Sequence, residues 1–356
     1  LSDESVFHLV ENELPNDLRK INKLIFSTSI SEPSINDKLS VVIDSGLIKE
    51  NGFDYSISVR TIKDTQASKE IMNLRKGRLG RSMKGLYVPI QTEKNIPEVQ
   101  TPLIQREDIT KNVLLLKDIN IDIENIKNLP DKPNETNIKI ALENLVYVGA
   151  IDENTSKITE LGHNILQFPF ILIYYSAAMQ IFKKEFEFNE EEWEEEENSK
   201  NEGDIAFFVS GYISTVLTMS NMLVQEEMSE NLSKLFVKES DIATIINALN
   251  ILLKSPINEN NELRNLVESY GFSYSVFCDL KSNIQFLIDS IFPSKTINEI
   301  LDLADEFIEN HEGILSIIDS FIEIIEQTYP NFTDSNYITF KYVNGSGGFD
   351  SNSSLV

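Results

Sequence analysis

Near residue 110 the spacing of apolar side chains changes period, and this change restricts the fold more than any other feature of the chain. Before it lie short apolar runs, Lys23-Leu24-Ile25-Phe26 and Leu39-Ser40-Val41-Val42-Ile43, each followed by polar turn residues. Such runs are the texture of strands in a buried parallel sheet. Asn51-Gly52, between Gly46-Leu47-Ile48-Lys49 and Tyr55-Ser56-Ile57-Ser58-Val59, predicts a hairpin turn.

From Thr110 the period is helical. Val113, Leu114 and Leu116 open one helix, and a break follows at Leu129-Pro130-Asp131-Lys132-Pro133. Ile138, Ala141, Leu142, Leu145 and Val146 give a second helix with Gly149 where a C-cap belongs. Residues 150–159 read as a short hairpin before Glu160-Leu161-Gly162-His163 opens a third helix. Helix, hairpin, helix is the outline of a winged helix. Beyond it, residues 205–223, 241–253, 286–292 and 314–325 keep helical spacing, so the remainder is expected to be mostly α.

A chain of 356 residues exceeds the usual size of one hydrophobic core, which predicts two or three domains. Glu190-Glu191-Glu192-Trp193-Glu194-Glu195-Glu196-Glu197 is a like-charge block, and residues 185–202 are expected to form a solvated insertion. The tail after Tyr342, rich in Gly, Ser and Asn, reads as a linker or frayed end. Leu1-Ser2-Asp3-Glu4, with no initiator methionine or leader, reads as a cut inside a longer protein. The longest apolar runs fall short of a membrane span of roughly 20 residues, so a soluble protein is expected, and the lone cysteine is compatible with an intracellular, reducing compartment. Cys278 is the single cysteine and excludes an internal disulfide; it reads as a small buried apolar residue. His8, His163 and His311 are too dispersed to suggest a metal site.

The formal charge of −26 repels phosphate backbones, so any nucleic-acid contact must come from a local basic feature. There is one such feature. The chain has only seven arginines, and Arg75, Arg78 and Arg81 fall within seven consecutive residues. On a continuous helix, guanidinium groups at i, i+3 and i+6 would share a side, and the interleaved Gly77 and Gly80 would let a bulky anionic ligand come close. The competing reading is a surface helix whose arginines pair with some of the 57 acidic side chains.

Arg75-Lys76-Gly77-Arg78-Leu79-Gly80-Arg81 resembles motif VI of the DEAH-type superfamily-two RNA helicases, Q-R-x-G-R-x-G-R. Upstream, Ser27-Thr28-Ser29-Ile30-Ser31-Glu32 resembles motif V, and Val42-Ile43-Asp44-Ser45-Gly46-Leu47-Ile48-Lys49 resembles the strand that follows it. Ser68-Lys69 stands at the S-K pair before motif VI, and Pro97-Glu98-Val99-Gln100 matches P-E-[IV]-Q. The helix at 113–121, Ala141-Leu142-Glu143, Gly149-Ala150-Ile151-Asp152, Leu161-Gly162 and Phe168-Pro169 continue the likeness through a winged helix. The form R-K-G-R-x-G-R followed by Lys84-Gly85-Leu86-Tyr87 is most similar to poxvirus-type nucleoside-triphosphate phosphohydrolase helicases.

The resemblance implies an α/β portion followed by a mainly α portion. Its parts are the end of a second RecA-like domain (1–110), a winged helix (111–175), the acidic insertion (176–203), a helical ratchet-like domain (204–330) and a tail (331–356). It implies ATP and Mg2+, held mainly by an upstream RecA-like domain, with Arg78 and Arg81 as catalytic arginine fingers and Arg75 and Gly77 beside the nucleotide. Thr28, Ser29 and Glu32 would meet the nucleic acid, single-stranded RNA or an RNA duplex with a 3′ overhang, during 3′-to-5′ unwinding. The hairpin near Asn51-Gly52 falls where this family keeps a strand-separating hairpin. Two departures matter. Leu74 stands where the motif has glutamine and Ser29 where it has asparagine, which opens an alternative: a weakened pseudo-helicase acting as a scaffold. No G-x-x-x-x-G-K-[ST] and no D-E-x-H occurs in these residues, so this segment alone is expected not to hydrolyse ATP.

Overall fold

The computed structural model describes residues 25–28, 39–54, 59–80, 84–90, 96–121, 129–186, 199–219, 223, 228–257 and 259–329. The chain divides into two compact units, residues 1–53 with 61–107, and residues 54–60 with 108–356.

The first unit carries strands β1 (Val41–Asp44), β2 (Leu47–Asp54) and β3 (Val59–Gln66), helix α1 (Lys69–Lys76) and strand β4 (Leu86–Pro89). β1 and β4 pair in parallel, with Val41 opposite Leu86 and Ile43 opposite Val88. The α/β texture expected for this half is present, with β1 and β4 parallel, but β1 is not a buried strand. Ile43 is 64% exposed, and Val41, Leu86 and Val88 on the same face are exposed too. No described strand or helix covers that face. The other apolar run, Lys23–Phe26, forms no described strand: Ile25 and Phe26 have no regular structure and Lys23-Leu24 lie outside the described residues.

β2 and β3 pair, and a connection of four residues allows only the antiparallel arrangement. The hairpin therefore exists, but its turn is not at Asn51-Gly52. That dipeptide lies inside β2, and the connection is residues 55–58. Gly52 serves close approach: a Cβ there would lie 3.1 Å from Thr61 Oγ1 and 3.6 Å from Arg106 O. The Phe53 amide donates to that Arg106 carbonyl over 2.6 Å.

The second unit begins with α2 (Thr110–Asp118), α3 (Glu135–Val148) and α4 (Glu160–Gln167). Asn134 caps α3 by accepting from the Thr136 amide, and Gly149 ends it in the left-handed region at φ 81°. Ile151 bridges Ile158 antiparallel around a turn in which Asp152 accepts from the Thr155 amide and hydroxyl. Thr159 then caps α4. The motif residue Gly162 has a physical reason, since a Cβ there would lie 2.3 Å from Ala150 O and 2.6 Å from Ile158 Cγ1. The start of α4 crosses the base of the small hairpin where only glycine fits.

The helical remainder comprises α5 (Ile173–Glu185), α6 (Ser199–Thr218), α7 (Glu230–Ser233), α8 (Asp241–Leu253), α9 (Asn260–Ser269), α10 (Tyr274–Ile291), α11 (Ile297–Asn310) and α12 (Ile314–Thr328). α6 is central, packing against α5, α8, α10 and α11. Its small polar residues satisfy themselves: Ser214, Thr215 and Thr218 hydroxyls donate to carbonyls four residues back, each over 2.7 Å. Gly211 admits Met179, whose Cε would lie 2.9 Å from a Cβ there. Phe182, Phe208, Phe277 and Phe321 are fully buried in the helical unit. Thr296 and Glu299 form a reciprocal capping box at α11. The helix expected to run to Leu223 stops at Thr218, and Leu223 instead bridges Phe272.

Cys278 is half-buried on α10 rather than fully inside. His163 pairs with Asp118 at 2.6 Å, and His311 stacks on Phe307 with its centroid 4.3 Å away. His8, the whole acidic block (within residues 187–198) and residues 330–356 lie outside the described residues. No helix among the described residues is long and apolar enough to cross a membrane.

Candidate functional site

α1 is anchored at its N-terminus by the Pro97-Glu98-Val99-Gln100 segment. Ser68, its N-cap, accepts from the Ile71 amide, while the amides of Lys69 and Glu70 donate to the carbonyls of Pro97 (2.8 Å) and Glu98 (3.2 Å). The Ser68 amide donates to Gln100 Oε1, and Lys69 pairs with Glu98. Helix amides that would otherwise lack partners are thus satisfied by one short segment. Gln100 Nε2 donates in turn to Glu50, which also takes the Thr65 hydroxyl and Arg106 Nε.

The C-terminal end departs from the sequence expectation. α1 stops at Lys76, with Gly77 as its C-cap, so Arg75 and Arg78 do not share one helix. Arg78, Leu79 and Gly80 form a turn instead, held by Gly77 N to Asn73 O (2.8 Å), Arg78 N to Arg75 O (3.1 Å) and Leu79 N to Lys76 O (3.0 Å). Gly80 sits at φ 76°, a left-handed conformation that favours glycine, although nothing crowds it. Gly85 has the opposite reason: a Cβ there would lie 2.6 Å from Leu79 Cδ2, so the turn seats Leu79 on it. Gly77 ends the helix and Gly80 takes a left-handed conformation beyond it; neither interrupts a helix.

Arg75 and Arg78 occupy different environments. Arg75 Nη1 lies 2.6 Å from Asp44 Oδ1 and Nη2 donates to Leu47 O over 3.0 Å, with side-chain exposures of 15% for Arg75 and 1% for Asp44. Asp44 also accepts from the Gly46 amide (2.9 Å) and the Tyr87 hydroxyl (2.5 Å). Burial alone would raise the Asp44 carboxyl. Hydrogen bonds from Tyr87, Gly46 and Arg75, together with the guanidinium charge, outweigh it and hold the group below the usual carboxylate value. Burial and the adjacent carboxylate push the Tyr87 phenol well above its ordinary value. Arg78, half-buried, donates from Nε to Leu74 O at 3.4 Å. Leu74, in the place of the motif glutamine, is 47% exposed and lines an open hollow with Lys69, Asn73 and Val99.

Of the other residues singled out, Thr28 is exposed and irregular, its carbonyl accepting from Ser27 Oγ over 3.2 Å. Arg81, Ser29 and Glu32 lie outside the described residues. Asp44 and Tyr87 had no role assigned from sequence. A carboxylate closing the apolar run Val41-Val42-Ile43 was the available signal, because such a group, once buried, needs donors or a cation. Among the described residues no group of three or more His, Cys, Asp or Glu side chains could hold a metal ion. The chemistry this arrangement offers is a guanidinium on a braced turn, suited to an anionic oxygen.

Known proteins agree with this architecture. The family model for the helicase associated domain (HA2), winged-helix, matches residues 141–170, from α3 to the end of α4 and just beyond. Among solved structures, the chain is similar to the crystal structure of the E. coli DExH-box NTPase HrpB, at 15% identity and a TM-score of 0.51. That likeness covers 80% of this chain but 31% of the other, so the chain spans about a third of that protein's length. The chain thus has the fold of a helicase C-terminal region: the end of a RecA-like domain, then a winged helix and a helical ratchet-like domain.

Proposed function

We propose that this chain is the C-terminal portion of an ATP-dependent RNA helicase that moves 3′ to 5′ along single-stranded RNA. In this reading ATP and Mg2+ are held mainly by an upstream RecA-like domain of the same protein, and this chain supplies Arg78 and Arg81 to the transferring phosphoryl group. The observation that carries it is the turn after α1. Arg78 stands beyond the helix end on a turn fixed by three backbone hydrogen bonds and by Leu79 against Gly85. A planar donor held this way meets an anionic oxygen with little reorganisation. The HA2 match and the likeness to a DExH-box NTPase support the same reading. Thr28, Ser29 and Glu32 are assigned to the RNA backbone, and Gly77 to the nucleotide's vicinity. A viral origin rests only on the resemblance of Arg75–Arg81 and Lys84–Tyr87.

Leu74 favours a second reading. An exposed leucine at the glutamine position makes no polar contact to nucleotide, as a scaffold derived from a helicase would show.

ATP turnover of the full-length protein, with and without RNA, separates the two. RNA-stimulated turnover that falls by about 10³-fold or more in Arg78→Ala and Arg81→Ala supports the helicase. Turnover absent from the wild type, or indifferent to both substitutions, sinks it.

A further inference from the structure

Sequence spacing groups Arg75 with Arg78 and Arg81, yet the geometry gives it other work. Its guanidinium is directed at β1, with Nη1 on Asp44 and Nη2 on the Leu47 carbonyl. Its own carbonyl accepts the amide of Arg78. One residue therefore holds the sheet with its side chain and the first residue of the arginine turn with its backbone.

Asp44 is the knot of this arrangement. Its Oδ1 takes Arg75 from α1 and the Gly46 amide from the tight turn after β1, where Gly46 sits at φ 72°. Its Oδ2 takes the Tyr87 hydroxyl from β4. The Ile90 amide donates to the Asp44 carbonyl, closing the end of the β1–β4 ladder. Helix, both parallel strands and the turn are fastened at one carboxylate that is almost inaccessible to water.

We infer that Asp44, Arg75 and Tyr87 form a mount that sets the position of Arg78, making Arg75 a positioning residue and not a nucleotide ligand. The inference rests on the reading of Arg78 as an arginine finger. A buried carboxylate that accepts three donors has few alternative arrangements, so weakening any one donor loosens the turn it supports. Lysine at 75 keeps the charge but cannot reach Asp44 and Leu47 together from one rigid fork. Phenylalanine at 87 keeps the ring and removes one donor without changing the charge of the mount.

The test uses the full-length protein with Arg75→Lys and Tyr87→Phe, with Arg78→Ala as reference, in steady-state ATP turnover and in hydrogen–deuterium exchange. Arg75→Lys is expected to lower kcat by roughly 10-fold and Tyr87→Phe by roughly 3-fold, each with the KM for ATP within twofold of wild type. Exchange is expected to quicken in the peptide covering residues 74–80, and not across the helical unit. A rise in KM that accounts for the loss in kcat/KM would make Arg75 a nucleotide ligand and overturn the mount. Unchanged exchange at 74–80 in both variants would also overturn it, whatever the turnover shows. If turnover in the wild type is absent, or survives Arg78→Ala, the helicase reading fails separately, and the exchange result alone decides whether the mount holds the turn.

Discussion

Gln100 donates from Nε2 to Glu50 Oε1 over 2.8 Å while its Oε1 accepts the Ser68 amide at 3.1 Å. One amide side chain therefore joins strand β2 to the first turn of α1. In Gln100→Leu, Glu50 loses a donor and the N-cap amide its acceptor in a partly buried site. The expected cost is about 1–3 kcal/mol, read from the urea midpoint of the α/β unit followed by exchange in β2 and α1. An unchanged midpoint would mean that water replaces the amide.

Two glycines of the winged helix should respond differently to alanine. At Gly149 the obstacle is conformational only, because φ is 81° and the nearest atom to a Cβ, Leu161 Cδ2, is an ordinary 3.7 Å away. Gly149→Ala is expected to cost about 1–2 kcal/mol, and Gly149→Asn less. At Gly162 the obstacle is a backbone carbonyl 2.3 Å from the added atom. Gly162→Ala should cost more than 3 kcal/mol, since α4 must move off the hairpin. Thermal unfolding of the two variants side by side checks the order, and equal costs would contradict it.

Lys111 Nζ donates to the carbonyls of Phe168, Pro169 and Ile171, just beyond the end of α4. Lys111→Met keeps the stem and strips all three acceptors of their cation. A loss of about 2–3 kcal/mol is expected in chemical denaturation. Lys111→Arg should recover only part of it, because a planar fork does not converge on three carbonyls as an ammonium does. Full recovery in the arginine variant would refute that geometry.

Asp44 predicts an acid limb. Its folded-state affinity for protons is lowered, so the unfolded chain binds a proton more readily there, and stability falls as acid forces protonation. The contribution is complete above the ordinary carboxylate value near 3.8 and is lost as pH drops through the lower folded value. In Asp44→Asn the slope of unfolding free energy against pH below about 4 should be shallower than in the wild type. Identical slopes would show that other carboxylates dominate.

Local signals in the sequence located the helices well where caps were chemically explicit. Gly149, legible as a C-cap from its residue type, ends Glu135–Val148 in the left-handed region. Partners distant in sequence were not legible. Asn51-Gly52 has the composition of a turn, but Gly52 is needed where Thr61 and the Arg106 carbonyl come close, 54 residues away in the latter case by the numbering. Arg75 and Arg78 look equivalent by spacing, and only the fold brings Asp44, 31 residues earlier, beneath one of them. The same limit hid Tyr87, which meets Asp44 across the β1–β4 pair.

The central helix α6 sets an unusual rule for change. Cores generally tolerate loss of volume worst where large side chains meet. Here Gly211 lets Met179 of α5 and Leu287 of α10 approach, and the buried hydroxyls of Ser214 and Thr215 are satisfied by their own helix. Shaving Ser214 to alanine leaves every carbonyl with its amide partner, whereas enlarging it drives carbon into packed neighbours. Across a set of engineered variants, α6 should accept smaller residues and resist larger ones, so the middle of the helical unit is constrained by girth more than by hydrophobicity.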